Sequence, residues 1–248
     1  MKRFLKYSIV LLILLSACKQ RYHLKETQAS HNELKSLRED SLTTAVILPY
    51  KNKIDTQMNE VIANCDSTLT KEGYESTLAN FVMQAMEHFV NEKMTVYKGK
   101  TIAMVNRGGL RINLSKGEIS VRTIYELMPF DNNLVLLTIN GKALKDALIS
   151  FGENGKLFNN NIEFYLDKKN PINIKPLGNE LKEGENYIII TTDYLANGGD
   201  NCSFFEKPVK YESTDVKLRD AIIDYCRYLT KLNQSIVPYK NGRITVSK

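Results

Sequence analysis

The sequence predicts one mixed α/β domain that follows an export signal and a polar tether. Segments with helical periodicity and segments with strand character alternate along the chain, and no linker divides them into two groups. The chain has 248 residues, of which 43% are hydrophobic, so it can bury a sizeable core. A quarter of the residues are charged and no repeated block is present, which argues against a disordered or solenoid protein.

The N-terminus is typical of a secretory signal peptide. Three basic residues precede an apolar stretch over residues 8–15, which is too short to span a membrane comfortably. The next residues, Leu15-Ser16-Ala17-Cys18, resemble the lipobox of bacterial lipoproteins, in which the cysteine is lipidated. We therefore expect a signal peptide over residues 1–17 and a lipidated Cys18 that anchors the protein in the bacterial cell envelope. The alternative is a cysteine that merely follows a cleaved signal or a membrane anchor.

Residues 18–43 are predicted to form the polar tether. They carry both signs of charge and have no strong apolar periodicity. Removal of residues 1–17 lowers the formal net charge from +6 to +3, because that segment contains three bases and no acids. The remaining bases are scattered through the chain, so we expect no nucleic-acid partner.

The domain itself is expected over residues 44–248. It should begin with extended segments at 44–49 and 58–64, followed by an amphipathic helix within 77–90, near whose start Thr77 is a plausible cap. The helix is indicated by apolar residues at spacings of three and four: Leu78, Phe81, Val82, Ala85, Met86 and Phe89. A strand over residues 101–105 then runs into a glycine pair.

The second half of the chain continues the alternation. A strand over 134–139 ends at the turn signal Asn140-Gly141, and the helix that follows should end at Gly152. Further strands are predicted within 159–167 and 187–192, and a last amphipathic helix within 216–232.

Three cysteines remain beyond Cys18, an odd number without metal-ligand spacing. One disulfide bond would fit an oxidising compartment, but we expect buried free thiols at Cys65, Cys202 and Cys226.

Several short motifs resemble the C-terminal domain of 5'-nucleotidases, in the same order and at similar spacing. They are Glu75–Asn80 (ESTLAN), Asn106–Arg111 (NRGGLR), Met128–Phe130 (MPF) with Asn132 or Asn133 beyond it, Asp193–Asp200 (DYLANGGD), Arg219–Ala221 and Gly242–Ile244. The resemblance covers roughly residues 55–245. It implies an α+β fold, a four-layer α/β/β/α sandwich, that binds the nucleoside part of a nucleotide.

The same resemblance implies the residues that contact this ligand. Phe130 and Tyr194 match two aromatic residues that sandwich the base, since every base has a π-face. Asp200 matches an acidic residue that accepts hydrogen bonds from the ribose hydroxyls. Asn106 and Arg111 match polar residues that face the nucleotide. Taken singly, each has an ordinary explanation as a core, turn or surface residue, and only the ordered set favours binding.

Four glycines accompany these residues: Gly108, Gly109, Gly198 and Gly199. We expect them to adopt positive φ and to let the backbone approach the ligand. The sequence also departs from the family pattern, which commonly has arginine where this chain has Thr77 and glycine where it has Ala79. A phosphate contact is therefore in doubt, and Arg107 is a candidate for a replacement charge.

In the family, the chemistry belongs to a separate N-terminal domain that uses two metal ions. This chain has only His23, His31 and His88, and Asp200 in Gly199-Asp200-Asn201 has no partner ligands in the sequence. We expect no catalytic residue, metal site or cofactor here, and divalent metals only in a partner phosphatase. The function predicted is nucleotide recognition within a split 5'-nucleotidase. The alternatives are a stand-alone nucleoside-binding lipoprotein for scavenging, an interaction lipoprotein with a decayed pocket, and a self-sufficient hydrolase.

Overall fold

Six α-helices and ten β-strands are interspersed along residues 40–247, the part of the chain that a computed structural model describes. The helices are α1 (Ser41–Met58), α2 (Thr77–Lys93), α3 (Val121–Leu127), α4 (Gly141–Asn154), α5 (Asp193–Ala196) and α6 (Leu218–Lys231). The strands are β1 (Val61–Cys65), β2 (Thr101–Asn106), β3 (Gly117–Ser120), β4 (Asn133–Asn140), β5 (Leu157–Asn159), β6 (Ile162–Asp167), β7 (Asn170–Pro176), β8 (Asn186–Thr192), β9 (Lys210–Lys217) and β10 (Ile244–Val246).

The predicted mixed α/β domain is confirmed, and residues from Ile47 onward form one compact unit. The order of four layers stays a prediction. The predicted signal peptide, the predicted lipidation site at Cys18 and most of the predicted tether lie outside the described residues. None of the helices in residues 40–247 is long and apolar enough to cross a membrane.

A five-stranded sheet in the order β5-β2-β8-β4-β9 forms the centre of the domain. Strands β2 and β8 are parallel, and the other neighbours are antiparallel. Two smaller sheets, β1-β3 and β10-β6-β7, complete the strand pairing. Because successive side chains of a strand point to opposite faces, the central sheet can bury both of its faces.

Each face of the central sheet belongs to a separate hydrophobic core. Ala103 and Val105 of β2 pack with helices α2, α3 and α6, whereas their neighbours Ile102 and Met104 pack with α4 and the β6–β7 strands. The same alternation separates Ile190 from Ile189 in β8. The three described cysteines are buried and free, as expected. Burial raises the pKa of Cys202 and of Cys226 to about 12.

The amphipathic helix expected within 77–90 is α2, and its apolar face is buried. Ser76, one residue before the expected Thr77, caps it, since its hydroxyl accepts a hydrogen bond from the Ala79 amide at 3.0 Å. The prediction that Gly152 ends α4 is wrong. The helix runs to Asn154, and Gly155 adopts the left-handed conformation that ends it.

The extended segment predicted at 44–49 is also wrong, because these residues belong to α1. This helix has no buried residue, and it includes the last three residues of the predicted tether. Its C-terminal part contacts the rest of the domain through Met58, which packs against the core, and through an exposed ion pair in which Arg122 of α3 lies 3.0 Å from Asp55. The sequence does not indicate a helix here, because the consecutive apolar residues 46–48 lack the spacing of three and four that identifies a core-facing helix.

A buried ion pair joins the start of α2 to the C-terminal segment. The Arg243 guanidinium lies 2.9 Å from Glu75, and the two side chains are 4% and 9% exposed. Arg243 also donates to the Asn159 carbonyl at 2.7 Å, while Glu75 accepts from the amides of Asn241 and Gly242 at 2.6 and 3.1 Å. These bonds satisfy two charges that would otherwise be costly to bury.

We predict that Glu75→Gln lowers the free energy of unfolding by about 3 kcal/mol, because it leaves Arg243 buried without a counter-charge. Urea denaturation measures the change. Asp146→Asn is the matched control, since it breaks the exposed pair between Lys142 and Asp146 and should cost at most about 0.5 kcal/mol. Equal effects of the two substitutions would contradict this assignment.

Candidate functional site

The predicted site residues meet in one pocket of about 250 Å³. Seven of the eight line it, and Gly198 lies outside the lining. The lining residues are Asn106, Gly108, Gly109, Arg111, Phe130, Asn132, Tyr194 and Asp200.

The strand order explains why these distant residues converge. Asn106 ends β2 and Tyr194 follows β8, and the ends of two parallel strands lie at the same edge of a sheet. Strand β4 is antiparallel to β8, with Leu134 opposite Thr192, so β4 begins where β8 ends. The loop that carries Phe130 and Asn132 into β4 therefore reaches the same edge.

Three hydrogen bonds tie Asp200 to its neighbours in the pocket. Its Oδ2 accepts from Asn106 Nδ2 at 2.7 Å, and its Oδ1 accepts from the Tyr194 hydroxyl at 2.9 Å. Its own amide donates to the same hydroxyl at 3.2 Å. Asp200 has φ 55°, in the left-handed region that non-glycine residues seldom occupy, so these contacts hold an unfavourable conformation.

Tyr194 and Phe130 are 43% and 39% exposed. Exposed aromatic rings at the rim of a concave site offer apolar faces to a ligand. The hydrogen bond to Asp200, together with partial burial, raises the pKa of Tyr194. The phenol therefore stays protonated and remains a donor to the carboxylate at neutral pH.

The glycine prediction is correct only in part. Of the four glycines, Gly198 alone has positive φ, at 83°, and Asp200 and Asn201 supply the other left-handed positions of the loop. Gly109 and Gly199 are instead required by close packing, because a Cβ at Gly109 would lie 2.6 Å from Asn106 Oδ1. At Gly199 it would lie 2.5 Å from the Tyr194 carbonyl and 2.6 Å from the phenol ring.

Arg219 positions the loop that carries Phe130. Its buried guanidinium donates to the carbonyls of Met128 and Phe130, both at 3.3 Å, and to Asp131 at 2.7 Å. The bond from Arg219 to Asp131, together with one from Lys217, lowers the pKa of Asp131. The guanidinium also stacks on Tyr125, 4.1 Å from the ring centroid.

Two basic residues with predicted ligand contacts differ in their surroundings. Arg111 is exposed, lies 5.9 Å from the Phe130 ring centroid, and makes one long hydrogen bond to the Gly108 carbonyl at 3.3 Å. Arg107 donates to the carbonyls of Lys71, Gly73 and Gly155. Three of its five N–H donors are therefore used by the backbone, so the hypothesis that Arg107 supplies a replacement charge loses support.

Thr77 occupies the place where the family commonly has arginine. Its hydroxyl accepts from the Thr70 amide at 3.0 Å and so fixes the loop before α2.

A second opening of about 700 Å³ adjoins the pocket and shares Gly108 and Asp200 with it. Lysines and glutamates both line this opening, and it lies beside the C-terminal end of α4, where the helix dipole disfavours anions.

The predicted site set omits Asn132 and Arg219. Asn132 lines the pocket two residues beyond Phe130, and the motif MPF followed by asparagine is the sequence signal for it. The role of Arg219 depends on the packing of α6 against the α3–β4 loop, which one sequence does not reveal.

The described histidine and the acidic residues do not form a metal centre. His88 packs against the rings of Tyr228 and Tyr225, with centroids 4.2 and 5.2 Å away. Burial lowers its pKa. Within residues 40–247, no group of three or more His, Cys, Asp and Glu side chains could hold a metal ion.

A family profile for the "5'-nucleotidase, C-terminal domain" matches residues 55–207, more than half of the chain. This chain belongs to the 5'-nucleotidase C-terminal domain family. The resemblance read from the motifs is thereby confirmed at the level of the family.

Curated relatives of this domain are longer proteins. The chain is 28% identical to the trifunctional nucleotide phosphoesterase protein YfkN of Bacillus subtilis, over 79% of this chain and 14% of that protein. It is 23% identical to an apyrase of Tabanus yao, over 76% of this chain and 38% of that protein. It is 22% identical to protein UshA of Escherichia coli, over 81% of this chain and 37% of that protein. The chain thus spans well under half of each relative.

Two solved structures have the same fold as this nucleotidase-type domain. The 5'-nucleotidase precursor of Thermus thermophilus superposes with a TM-score of 0.68 at 23% identity, over 84% of this chain and 43% of that one. The NAD nucleotidase of Haemophilus influenzae superposes with a TM-score of 0.62 at 16% identity, over 84% of this chain and 42% of that one. At these identities, the likeness shows the fold alone.

We predict that Gly199→Ala lowers the free energy of unfolding by about 1–3 kcal/mol, because the new methyl group displaces Tyr194 or its carbonyl. Gly184→Ala is the control, since its Cβ meets nothing within 4 Å and its φ is not positive. The control should leave stability within about 0.5 kcal/mol of the parent. Denaturant unfolding compares the two, and a Gly199→Ala protein as stable as the control would refute the packing argument.

Proposed function

We propose that this domain recognises the nucleoside part of a nucleotide, as the recognition half of a split 5'-nucleotidase. The observation that carries the proposal is the convergence of Phe130, Tyr194 and Asp200 on one pocket, beside Asn106 and Arg111. Family membership supports the same ligand class, because relatives are described as nucleotide phosphoesterases and 5'-nucleotidases.

The base would stack on the exposed aromatic rings. Phe130 and Tyr194 lie on separate loops that border the same pocket, and both are more than a third exposed. Stacking of this kind tolerates different bases, since each has a π-face. The Asn132 amide lines the same wall, and it can both donate to and accept from the edge of a base.

The ribose would bind at Asp200. An ionised carboxylate only accepts hydrogen bonds, and two neighbouring hydroxyl donors suit its two oxygens. Arg111 is the basic side chain of the pocket lining, so it would meet the phosphate side of the ligand. The two arginines would thus have different roles: Arg111 would contact the ligand, whereas Arg107 donates hydrogen bonds to backbone carbonyls.

The phosphoryl chemistry would lie in a separate metallophosphatase, which holds the divalent metals. Remote nucleoside contacts then position the phosphate at those metals and reduce the entropic cost of reaction. Lipidation at Cys18 would tether this domain in the bacterial cell envelope, where extracellular nucleotides are met.

Calorimetry with adenosine and AMP tests the binding proposal, with glucose as the non-nucleotide control and the full chain held in detergent. We predict that Phe130→Ala weakens adenosine binding about 5- to 150-fold, which corresponds to the loss of one base–aromatic stack. Tyr211→Ala removes an exposed tyrosine outside the pocket and should leave the affinity unchanged. Absence of adenosine binding by the parent protein would defeat the proposal.

A phosphate-release assay with AMP and added Mg²⁺, Mn²⁺ or Zn²⁺ tests where the chemistry lies. The chain alone should release no phosphate, and a metallophosphatase lacking this domain should become more active towards AMP when the chain is added. Binding without such activation would favour the stand-alone scavenging lipoprotein. Metal-dependent release by the chain alone would establish a self-sufficient hydrolase.

A further inference from the structure

The hydroxyl group of Tyr194 joins the two features of the pocket that would recognise a nucleoside: the aromatic surface for the base and the Asp200 carboxylate for the ribose. Its ring is one of the two exposed aromatic surfaces, and its oxygen lies 2.9 Å from Asp200 Oδ1 and 3.2 Å from the Asp200 amide. The hydroxyl therefore bonds to both the side chain and the backbone of the acidic residue. A phenylalanine would supply the ring but neither bond.

The Asp200 carboxylate can accept further hydrogen bonds in addition to those from Tyr194 and Asn106. A carboxylate has about four lone-pair sites, two on each oxygen. Tyr194 occupies one site on Oδ1, and Asn106 occupies one on Oδ2 at 2.7 Å. One site per oxygen remains, and two adjacent acceptors match the paired donors of a vicinal diol.

The backbone conformation makes this arrangement dependent on its partners. Asp200 has φ 55°, which costs conformational energy for a residue with a Cβ. The Tyr194 ring packs against the backbone at Gly199, which has no Cβ to displace it. The tyrosine is thereby placed to support the carboxylate through its hydroxyl.

We propose that the Tyr194 hydroxyl is a specificity-determining group, which holds Asp200 in the orientation that recognises the 2',3'-diol of a ribonucleoside. The inference rests on the proposed function and deepens it, because it names ribonucleosides over 2'-deoxyribonucleosides as the ligand class. Tyr194 would be a positioning residue in this respect, since its hydroxyl acts on the sugar through Asp200.

The test compares adenosine with 2'-deoxyadenosine by calorimetry on the full chain. Tyr194→Phe should weaken adenosine binding about fivefold, as expected for one hydrogen bond, and should change 2'-deoxyadenosine binding less than about twofold. The preference for the ribonucleoside therefore falls severalfold. Tyr228→Phe is the matched control, because this partly exposed tyrosine of α6 is outside the pocket lining.

A double-mutant cycle with Asp200→Asn separates positioning from a merely structural role. Once Asp200 is replaced, Tyr194→Phe should cause no further loss of selectivity. An unchanged ribose preference in Tyr194→Phe overturns the inference, as does equal weakening of both ligands, which would assign the hydroxyl to ring orientation alone. If the parent protein binds neither nucleoside, the proposed function fails and this inference with it.

Discussion

The parallel pairing of β2 with β8 is the constraint on which the candidate site depends. Residues Thr101 to Ala103 lie opposite Ile188 to Ile190, so both strands end at one edge of the sheet. Apolar side chains bury both faces of this pair, as is usual for parallel strands. Asn106 and the Tyr194 loop emerge side by side as a result, although they are far apart in sequence.

Polar contacts then hold the loops that the sheet edge brings together. The buried Arg219 guanidinium binds the carbonyls of the Phe130 loop, and Arg107 binds the carbonyls of the loop before α2 and of the α4 terminus. Asp200 in turn joins Asn106 to Tyr194. Side-chain hydrogen bonds of this kind hold the loops in place before a ligand binds, so less conformational freedom is lost on binding.

Much of this arrangement could be predicted from the sequence, because periodic segments and ordered motifs both report on local constraints. Helices α2 and α6 show the 3.6-residue period, and seven of the eight chosen site residues share one pocket. The errors arise where tertiary packing decides. Gly152 is needed because a Cβ there would clash with the Lys169 carbonyl, whereas Gly155 ends the helix.

Side-chain direction and backbone angle are equally inaccessible from one sequence. Arg107 and Arg111 stand four residues apart in one motif, yet the first binds backbone carbonyls and the second borders the pocket. Sequence reasoning places the left-handed conformation at glycines, which generally adopt it at lower cost, and so misses it at Asp200. The contacts of Asn106 and Tyr194 account for its presence at an acidic residue.

A crystal structure of the chain soaked with adenosine tests the central claim most directly. The account predicts that the base lies against Phe130 and Tyr194, with the ribose hydroxyls within hydrogen-bond distance of the Asp200 carboxylate. Adenosine bound in the adjoining opening beside Lys71 and Lys156, with the aromatic pocket empty, would contradict it.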